Sequence, residues 1–397
     1  MTQTSPEPVA LPTVRSCPFD PPAELMRLSE EGPLRPLAFP DGSVGWLATG
    51  HAVVRAVLND PRFSARTELL RMPVPYPWQA TPAPPGFFVG MDAPQHTRYR
   101  KLLTGQFTVR RMKQLVPHIE RITEGFLDTM EAQGPPADLV HGFALPLPSL
   151  AICELLGVPY EARESFQRHA ATTVSTNATP EQMTAAHAAL DELVLRTVRA
   201  ERSDPGSDTI IGGLITGGDL TDTEIAGAAK LLLVAGHETT ANMLSLGAYA
   251  LMEHPAQLAL LRAEPDRMDS AVEELLRYLS IGQFGPLRAA LEDVELAGRT
   301  VRKGEVVMTS SPAANRDPER FERAGELDVS RSASGHLAFG HGAHQCIGQH
   351  LARIEMRIGY SALFRRFPGL RPAVPAAELP LRSEMFIYGM HRFPVTW

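Results

Sequence analysis

The chain has 397 residues, 44% of them hydrophobic and 21% charged, a composition that folds as a compact globule. Its net charge of −7 and isoelectric point near 6.0 argue against nucleic acid as the main ligand. Cys17, Cys153 and Cys346 are odd in number and too scattered for a disulfide framework, Met1–Ala10 lacks the basic lead-in and apolar core of a signal peptide, and no apolar run approaches the ~20 residues that span a bilayer. A reduced, cytoplasmic protein free of membrane is expected.

Residues 1–45 read as Pro-rich and irregular, with a turn at Cys17–Pro22. Apolar residues recur at helical spacing from Ala52 to Leu58, and Pro61 closes that helix. Residues 66–93 contain Pro73, Pro75, Pro77, Pro82, Pro84 and Pro85, which forbid a helix and disfavour a central strand. A loop this long inside a globule is functional or disordered. Helical patterns return near 94–105, 109–133, 147–156 and 180–202. Thr221 and Glu224 form a capping box, and Leu231, Leu232, Val234, Leu244, Leu246, Tyr249 and Leu251 carry a helix of over thirty residues to His254, before Pro255. Another helix covers 268–280. Short alternating segments follow, with Gly298 and Gly304 at turns, and read as β-hairpins; a last long helix runs from 349 to 367. The expected class is mainly α with a smaller β portion (α+β). Its helix-rich parts are about 94–280 and 345–367, and its β-rich parts about 30–60, 285–312 and 370–397. With no repeat and no linker, 1–397 reads as one domain.

The strongest local signal is Phe339-Gly340-His341-Gly342-Ala343-His344-Gln345-Cys346-Ile347-Gly348. A lone core cysteine is ordinarily an inert hydrophobe. The cluster His341, His344, Cys346 and His350 also reads as a zinc site, but its spacing matches no common structural pattern and leaves Phe339 and the glycines without a role. The segment resembles the cysteine loop of the cytochrome P-450 family, Phe-x-x-Gly-x-x-x-Cys-x-Gly, at Phe339, Gly342, Cys346 and Gly348. That resemblance implies a triangular-prism fold with a long central helix over haem b, and Cys346 as the thiolate axial ligand. A thiolate pushes electron density onto iron and favours O–O cleavage, and the helix start after Cys346 favours the anionic sulfur. Gly342 and Gly348 are expected to let the backbone approach the porphyrin.

Within the long helix, Ala235-Gly236-His237-Glu238-Thr239-Thr240 resembles the family's oxygen-side motif. On that resemblance Gly236 clears room for dioxygen, while Glu238 and Thr239 pass protons to the distal oxygen. The plain alternatives are a threonine back-bonded in its helix and a glutamate facing water. Glu274 and Arg277, one turn apart on one helix face, match the family's Glu-x-x-Arg and, with Arg331, are assigned to folding around haem. The resemblance places His96, Arg100, Arg288 and His344 on the two propionates, with Arg98 facing outward, and Phe339 and Gly348 beside the ring. It lines the substrate pocket with Phe87, Phe88, Val89, Ala235, Ile281, Phe284, Phe386 and Ile387, an apolar set suited to a lipophilic ligand.

The whole chain resembles actinobacterial members that tailor secondary metabolites or attack foreign compounds. The implied activity is insertion of one oxygen atom from O2, by hydroxylation or epoxidation, into a polyketide or macrolide, a terpenoid or a steroid-like molecule. Electrons are implied to come from NAD(P)H through ferredoxin reductase and ferredoxin, the latter steered by Arg100, Arg110, Arg111, Lys113 and Arg353 onto a monomer. A peroxide-driven peroxygenase and a non-catalytic haem sensor or carrier are the alternatives; Glu238 and Thr239 weigh against both.

Overall fold

The computed structural model describes residues 7–77, 79–204 and 208–397. The expectation for Met1–Ala10 therefore falls partly, and that for the 66–93 loop at Trp78, outside the described residues. No helix among the described residues is long and apolar enough to cross a membrane.

Thr221 and Glu224 form the expected capping box: Thr221 Oγ1 accepts from the Glu224 N–H at 3.3 Å, and the Glu224 carboxylate accepts from the Thr221 N–H at 2.8 Å. The helix that follows runs Asp222–Glu253, 32 residues, or about 48 Å at 1.5 Å per residue. From Ala241 to Leu251 every residue is buried, so this helix is core on all sides over its second half. Pro146–Leu156, Pro180–Ser203, Met268–Leu279 and Gln349–Arg366 pack around it. Gly247 permits one of these contacts, because a Cβ there would lie 2.0 Å from the Tyr360 hydroxyl.

The β portion is peripheral. A five-stranded sheet has the order Leu34–Ala38, Val44–Ala48, Val306–Thr309, Leu287–Ala290, Phe63–Ser64, antiparallel except where Trp46 and Ala48 lie beside Val307 and Thr309. Val294–Leu296 and Arg299–Val301 form the hairpin anticipated at Gly298. Pro394–Thr396 joins Ala137–Asp138 and Arg371–Pro372 in a third, small sheet.

Among the described residues, four helices of eight or more residues escaped the sequence reading. Ala23–Glu30 lies in the stretch read as irregular, with only Leu25 and Leu28 buried to signal it. Arg163–Thr173 buries just Phe166 and Ala170. Ile210–Gly217 is glycine-rich, so its helix depends on tertiary burial of Ile210, Ile211 and Leu214. Pro255 ends the long helix but also occupies the first turn of Pro255–Ala263, where its missing N–H costs nothing. The 109–133 pattern divides into Val109–Gln114 and Val116–Gln133. Residues 66–93 hold no α-helix among those described, only single 3-10 turns at Thr67–Leu69 and Phe88–Gly90. This loop lies against the long helix: a Cβ on Gly227 would meet Pro85 O at 2.0 Å, and one on Gly86 would meet Ala228 N at 2.4 Å.

Glu355, on the last long helix, is 1% exposed, and its two oxygens are buried without a well-formed hydrogen bond. Burial pushes its carboxyl up to about 8, with the Thr240 hydroxyl pulling weakly the other way. The unfolded chain releases this proton near 4.3, so the folded state binds more protons between the two values. The contribution of Glu355 to stability is thus full below about 4.3 and falls away as pH rises toward 8. Glu355→Gln is expected to remove that decline, gaining up to about 4 kcal/mol on the parent protein between pH 5 and 8 in urea unfolding. Parallel pH–stability curves for the two proteins would show that Glu355 is ionised in the fold.

Candidate active site

The chain from Leu337 to Gly348 turns through two left-handed residues, Gly340 at φ +69° and Gly342 at φ +73°. It is closed by the Cys346 N–H, which donates to Phe339 O at 2.9 Å. Gly342 is needed for a second reason: a Cβ there would sit 2.5 Å from Leu58 O. The neighbour that requires glycine at 342 is the end of helix His51–Asn59. At Gly348, by contrast, φ is an ordinary −81° and a Cβ would find no protein atom within 4 Å, so its clearance faces open space.

Gly348 caps Gln349–Arg366. Burial pushes the Cys346 thiol up, while the backbone N–H groups of Gly348 and Gln349 and the charges of Arg100 and Arg353 draw it down. The sulfur is therefore surrounded by groups that favour its anion, as a metal-bound thiolate requires. Phe339 lies under the Arg353 guanidinium, 4.6 Å from ring centre to carbon, and Arg353 is anchored to Glu273 at 2.6 Å. His341, His344, Cys346 and His350 do not converge; no group of three or more His, Cys, Asp or Glu among the described residues is arranged to hold a metal.

Beside the cysteine loop the four residues assigned to propionates come together. His96 on helix Gln95–Thr104 stacks against His344, ring centres 4.0 Å apart. Arg288 enters from the sheet, buried, with only the Leu287 carbonyl as partner. Arg100 is half-buried and engages no carboxylate. The His96 Nε2 and His344 Nδ1 atoms are buried without partners. Burial, then the charges of Arg288, His96 and Arg100, press the His344 imidazole down to about 3, and burial takes the Arg288 guanidinium down to about 10. Such a cluster is costly unless an anion completes it. A group bearing two carboxylates beside a thiolate-held iron fits these residues.

On the long helix the sequence-predicted residues face different ways. Ala235 and Thr239, one turn apart, are accessible, as in part are Leu231, Val234 and Gly236. Thr239 Oγ1 donates to Ala235 O at 2.7 Å, the back-bond named among the plain alternatives, which leaves its lone pairs free to accept. A Cβ on Gly236 would meet Ile152 Cγ1 at 2.9 Å. The glycine thus serves close approach of helix Pro146–Leu156. Glu238 is 4% exposed and is not free in water: at the wall of a cleft Arg382 Nη2 donates to its Oε2 at 2.8 Å. The acid and the alcohol make no hydrogen bond to each other. Sequence reasoning missed Arg382, because no spacing or motif joins position 382 to position 238.

The pocket set divides. Phe88 and Phe284 are 2% and 4% exposed and belong to the core, Phe88 against His96 and Phe284 against Phe386, so they line no open space. Phe87, Val89, Ile281, Phe386 and Ile387 keep accessible surface. Gly282 bridges Ile387, and the Tyr388 N–H donates to Ile281 O at 2.8 Å, which brings the two C-terminal segments together. The proposed basic patch is thinner than expected. Arg111 is held by Gln106 and Asp208 and Arg353 by Glu273, whereas Arg110 and Lys113 are exposed and form no ion pair among the described residues. Arg98 faces outward as expected and pairs with Glu224.

Glu274, Arg277 and Arg331 form one network. Arg277 and Glu274 are fully buried and joined by two 2.7 Å bonds, and Arg331 Nε reaches Glu274 at 3.2 Å. The remaining Arg277 donors go to the carbonyls of Asn315, Ala324 and Glu326. The helix carrying Arg277 is thereby fixed to the segment that leads into the cysteine loop.

A mainly α fold with small sheets, built around a capped cysteine loop and an unpaired cationic cluster, is that of a haem-thiolate protein. Residues 205–374 match the family profile described as Cytochrome P450. The chain is 50% identical over 397 residues, covering 100% of both chains, to Cytochrome P450 105C1 of a Streptomyces species. It is 45% identical over 394 residues, 98% of each, to pentalenic acid synthase of Streptomyces avermitilis. The crystal structure of CYP105P1 in complex with filipin I superposes with a TM-score of 0.94 at 44% identity, covering 98% of this chain and 99% of that one. This chain belongs to the cytochrome P450 family. It is a monooxygenase whose cofactor is haem with a cysteine thiolate axial ligand.

Removing one member of a buried ion pair costs about 3–5 kcal/mol, because the other charge is left uncompensated. Glu274→Ala is accordingly expected to lower the unfolding midpoint sharply and to reduce the yield of haem-loaded protein. A Glu274→Ala protein with the parent's midpoint and haem content would remove this network from the folding of the site.

Proposed function

We propose that Cys346 is the thiolate ligand and that the chain inserts one atom of O2 into a lipophilic secondary metabolite of polyketide, macrolide, terpenoid or steroid-like class, by hydroxylation or epoxidation. The observation that carries this reading is the capped Cys346 sulfur beside a cluster of two arginines, Arg100 and Arg288, and two histidines, His96 and His344, whose buried His96 Nε2 and His344 Nδ1 have no partner. The apolar accessible side chains and the names of the relatives support the substrate class.

When bound, haem supplies reductive activation of dioxygen at a thiolate-ligated iron. The protein's part is positional and protonic. Arg288 and Arg100 neutralise the propionates, with His96 and His344 donating hydrogen bonds. Ala235, Phe87, Ile281, Phe386 and Ile387 exclude water from the reacting face. Thr239 Oγ1 accepts and returns a hydrogen bond at that face, and Glu238 takes up protons from solvent for it. The one unit spanning 1–397 acts in the cytoplasm, and as a monomer.

Reduced protein treated with carbon monoxide is expected to show the red-shifted Soret band of sulfur ligation, and Cys346→His to abolish it. Thr239→Ala should keep haem and that band but divert several-fold more NADPH-derived electrons into peroxide or water. A normal band in Cys346→His, or unchanged coupling in Thr239→Ala, would overturn the assignment concerned. Retention of Glu238 and Thr239 favours this reductive route over a peroxide-driven one.

Electrons reach the haem from NAD(P)H through ferredoxin reductase and ferredoxin, docked at exposed Arg110 and Lys113. The rate of reduction by ferredoxin is therefore expected to fall as ionic strength rises and to fall several-fold in Lys113→Glu. A rate insensitive to both would place docking elsewhere.

A further inference from the structure

Arg382 stands at the base of a hairpin near the C-terminus. Leu381 bridges Met390, and the Arg382 N–H donates to Gly389 O at 2.9 Å, so residues 383–388 form the tip. The stem lies on the long helix without slack: a Cβ on Gly389 would fall 1.8 Å from Asn242 Oδ1, and Asn242 Nδ2 in turn donates to Glu238 O at 2.8 Å. From this base Arg382 reaches Glu238, with side chains 10% and 5% exposed. The Arg382 Nε has no partner, so the guanidinium is held mainly by that one carboxylate.

The tip is tied to the substrate side. Gln283 Nε2 donates to Met385 O at 2.6 Å, and the Gln283 N–H to Phe386 O at 3.0 Å. The Phe386 N–H donates to Val174 O at 2.9 Å, just beyond helix Arg163–Thr173. The Phe386 ring contacts Tyr76 of the 66–93 loop, centres 4.9 Å apart, and Phe284 at 5.1 Å. One hairpin therefore touches the segments read as substrate-facing at its tip and the buried acid at its base.

Glu238 and Arg382 also form part of the wall of a cleft of about 620 Å³, together with Glu164, Gln167, Arg168 and Glu384. Thr239 does not line this cleft, and its hydroxyl is occupied with Ala235 O. Glu238, which lines the cleft and precedes Thr239 in the helix, offers a proton a route from the cleft to the Thr239 face. While Arg382 grips the carboxylate, that route is hindered.

We propose that Arg382 is a positioning residue for Glu238: it clamps the carboxylate toward the cleft, and displacement of the Phe386 tip by substrate loosens the clamp. The proposal rests on the reading of Glu238 as the proton-handling acid. The exchange balances as a proton transfer alone: a hydronium ion or buffer acid in the cleft gives a proton to the released carboxylate, leaving water or the buffer base, and the carboxyl then gives that proton up on the Thr239 side and is a carboxylate again. The carboxylate then returns to Arg382. Substrate occupancy and proton supply are thereby linked through one hairpin.

The test uses haem-loaded protein with NADPH, a plant-type ferredoxin and its reductase, and no substrate. NADPH oxidation, peroxide yield and the solvent deuterium isotope effect are read on the parent, Arg382→Ala, Arg382→Lys, Glu238→Gln and the Glu238→Gln/Arg382→Ala double variant. Haem content and the carbon monoxide band serve as the check on folding. Arg382→Ala is expected to raise substrate-free NADPH oxidation at least threefold and to shrink the isotope effect, with Arg382→Lys falling between it and the parent. In the Glu238→Gln background, Arg382→Ala should change nothing further. Phe386→Ala should move the same readouts in the same direction by a smaller factor; no movement there overturns the link to the substrate side. Rates and isotope effects within 1.5-fold of the parent in both Arg382 variants, while Glu238→Gln alone alters them, overturn the clamp and leave the relay standing. If Glu238→Gln itself alters nothing, the relay reading falls, and the clamp with it.

Discussion

An anionic sulfur inside a protein is sustained only by what faces it. At Cys346 that surrounding is made of the first N–H groups of helix Gln349–Arg366 and the charges of Arg100 and Arg353, set against the burial that resists ionisation. The rest of the architecture serves this point. Gly340 and Gly342 turn the loop, and Leu58 O presses on it so closely that only glycine fits at 342. Asn315 binds the loop's approach twice, through its Oδ1 to the Leu337 N–H and its carbonyl to Arg277. The Glu274–Arg277 pair thus reaches the sulfur through a short chain of buried bonds. Each link is costly to break because each leaves a buried polar group without a partner.

The long helix does two jobs with two faces. Most of its surface is plain core, sealed against four other helices. Midway along it Ala235 and Thr239, one turn apart, stay accessible, and one residue away Glu238 turns toward Arg382. A step of one residue is about 100° around a helix, so neighbours in sequence face different compartments. The acid and the alcohol are therefore separated by the helix wall although they are consecutive. Chemistry that needs both must involve motion at one of them.

Elements with a mechanism written into adjacent residues were legible. The Thr221–Glu224 capping box and, among the described residues, the helix-free 66–93 segment came out as read. Elements whose signal is tertiary were not. Ile210–Gly217 contains too many glycines to show a helical period and is helical because its isoleucines are buried. Phe88 and Phe284 could be recognised as apolar but not sorted into pocket or core, since both environments select the same side chain. Gly236 and Gly342 were rightly singled out, but their neighbours are Ile152 and Leu58. A sequence shows that a side chain is absent, not what fills the space.

By itself the sequence determined the family, the cofactor chemistry and the order of the main helices. Those depend on residue types at short fixed spacings, and local geometry follows directly from spacing. Only the tertiary structure decided where each charge finds its partner. It joined position 382 to 238, left His96, Arg288 and His344 in one cluster without an anion, and withdrew Arg111 and Arg353 into surface pairs. Such choices depend on distances of a few ångströms between segments far apart in the chain. Coulomb energy and desolvation vary steeply over that range, and no local pattern encodes it.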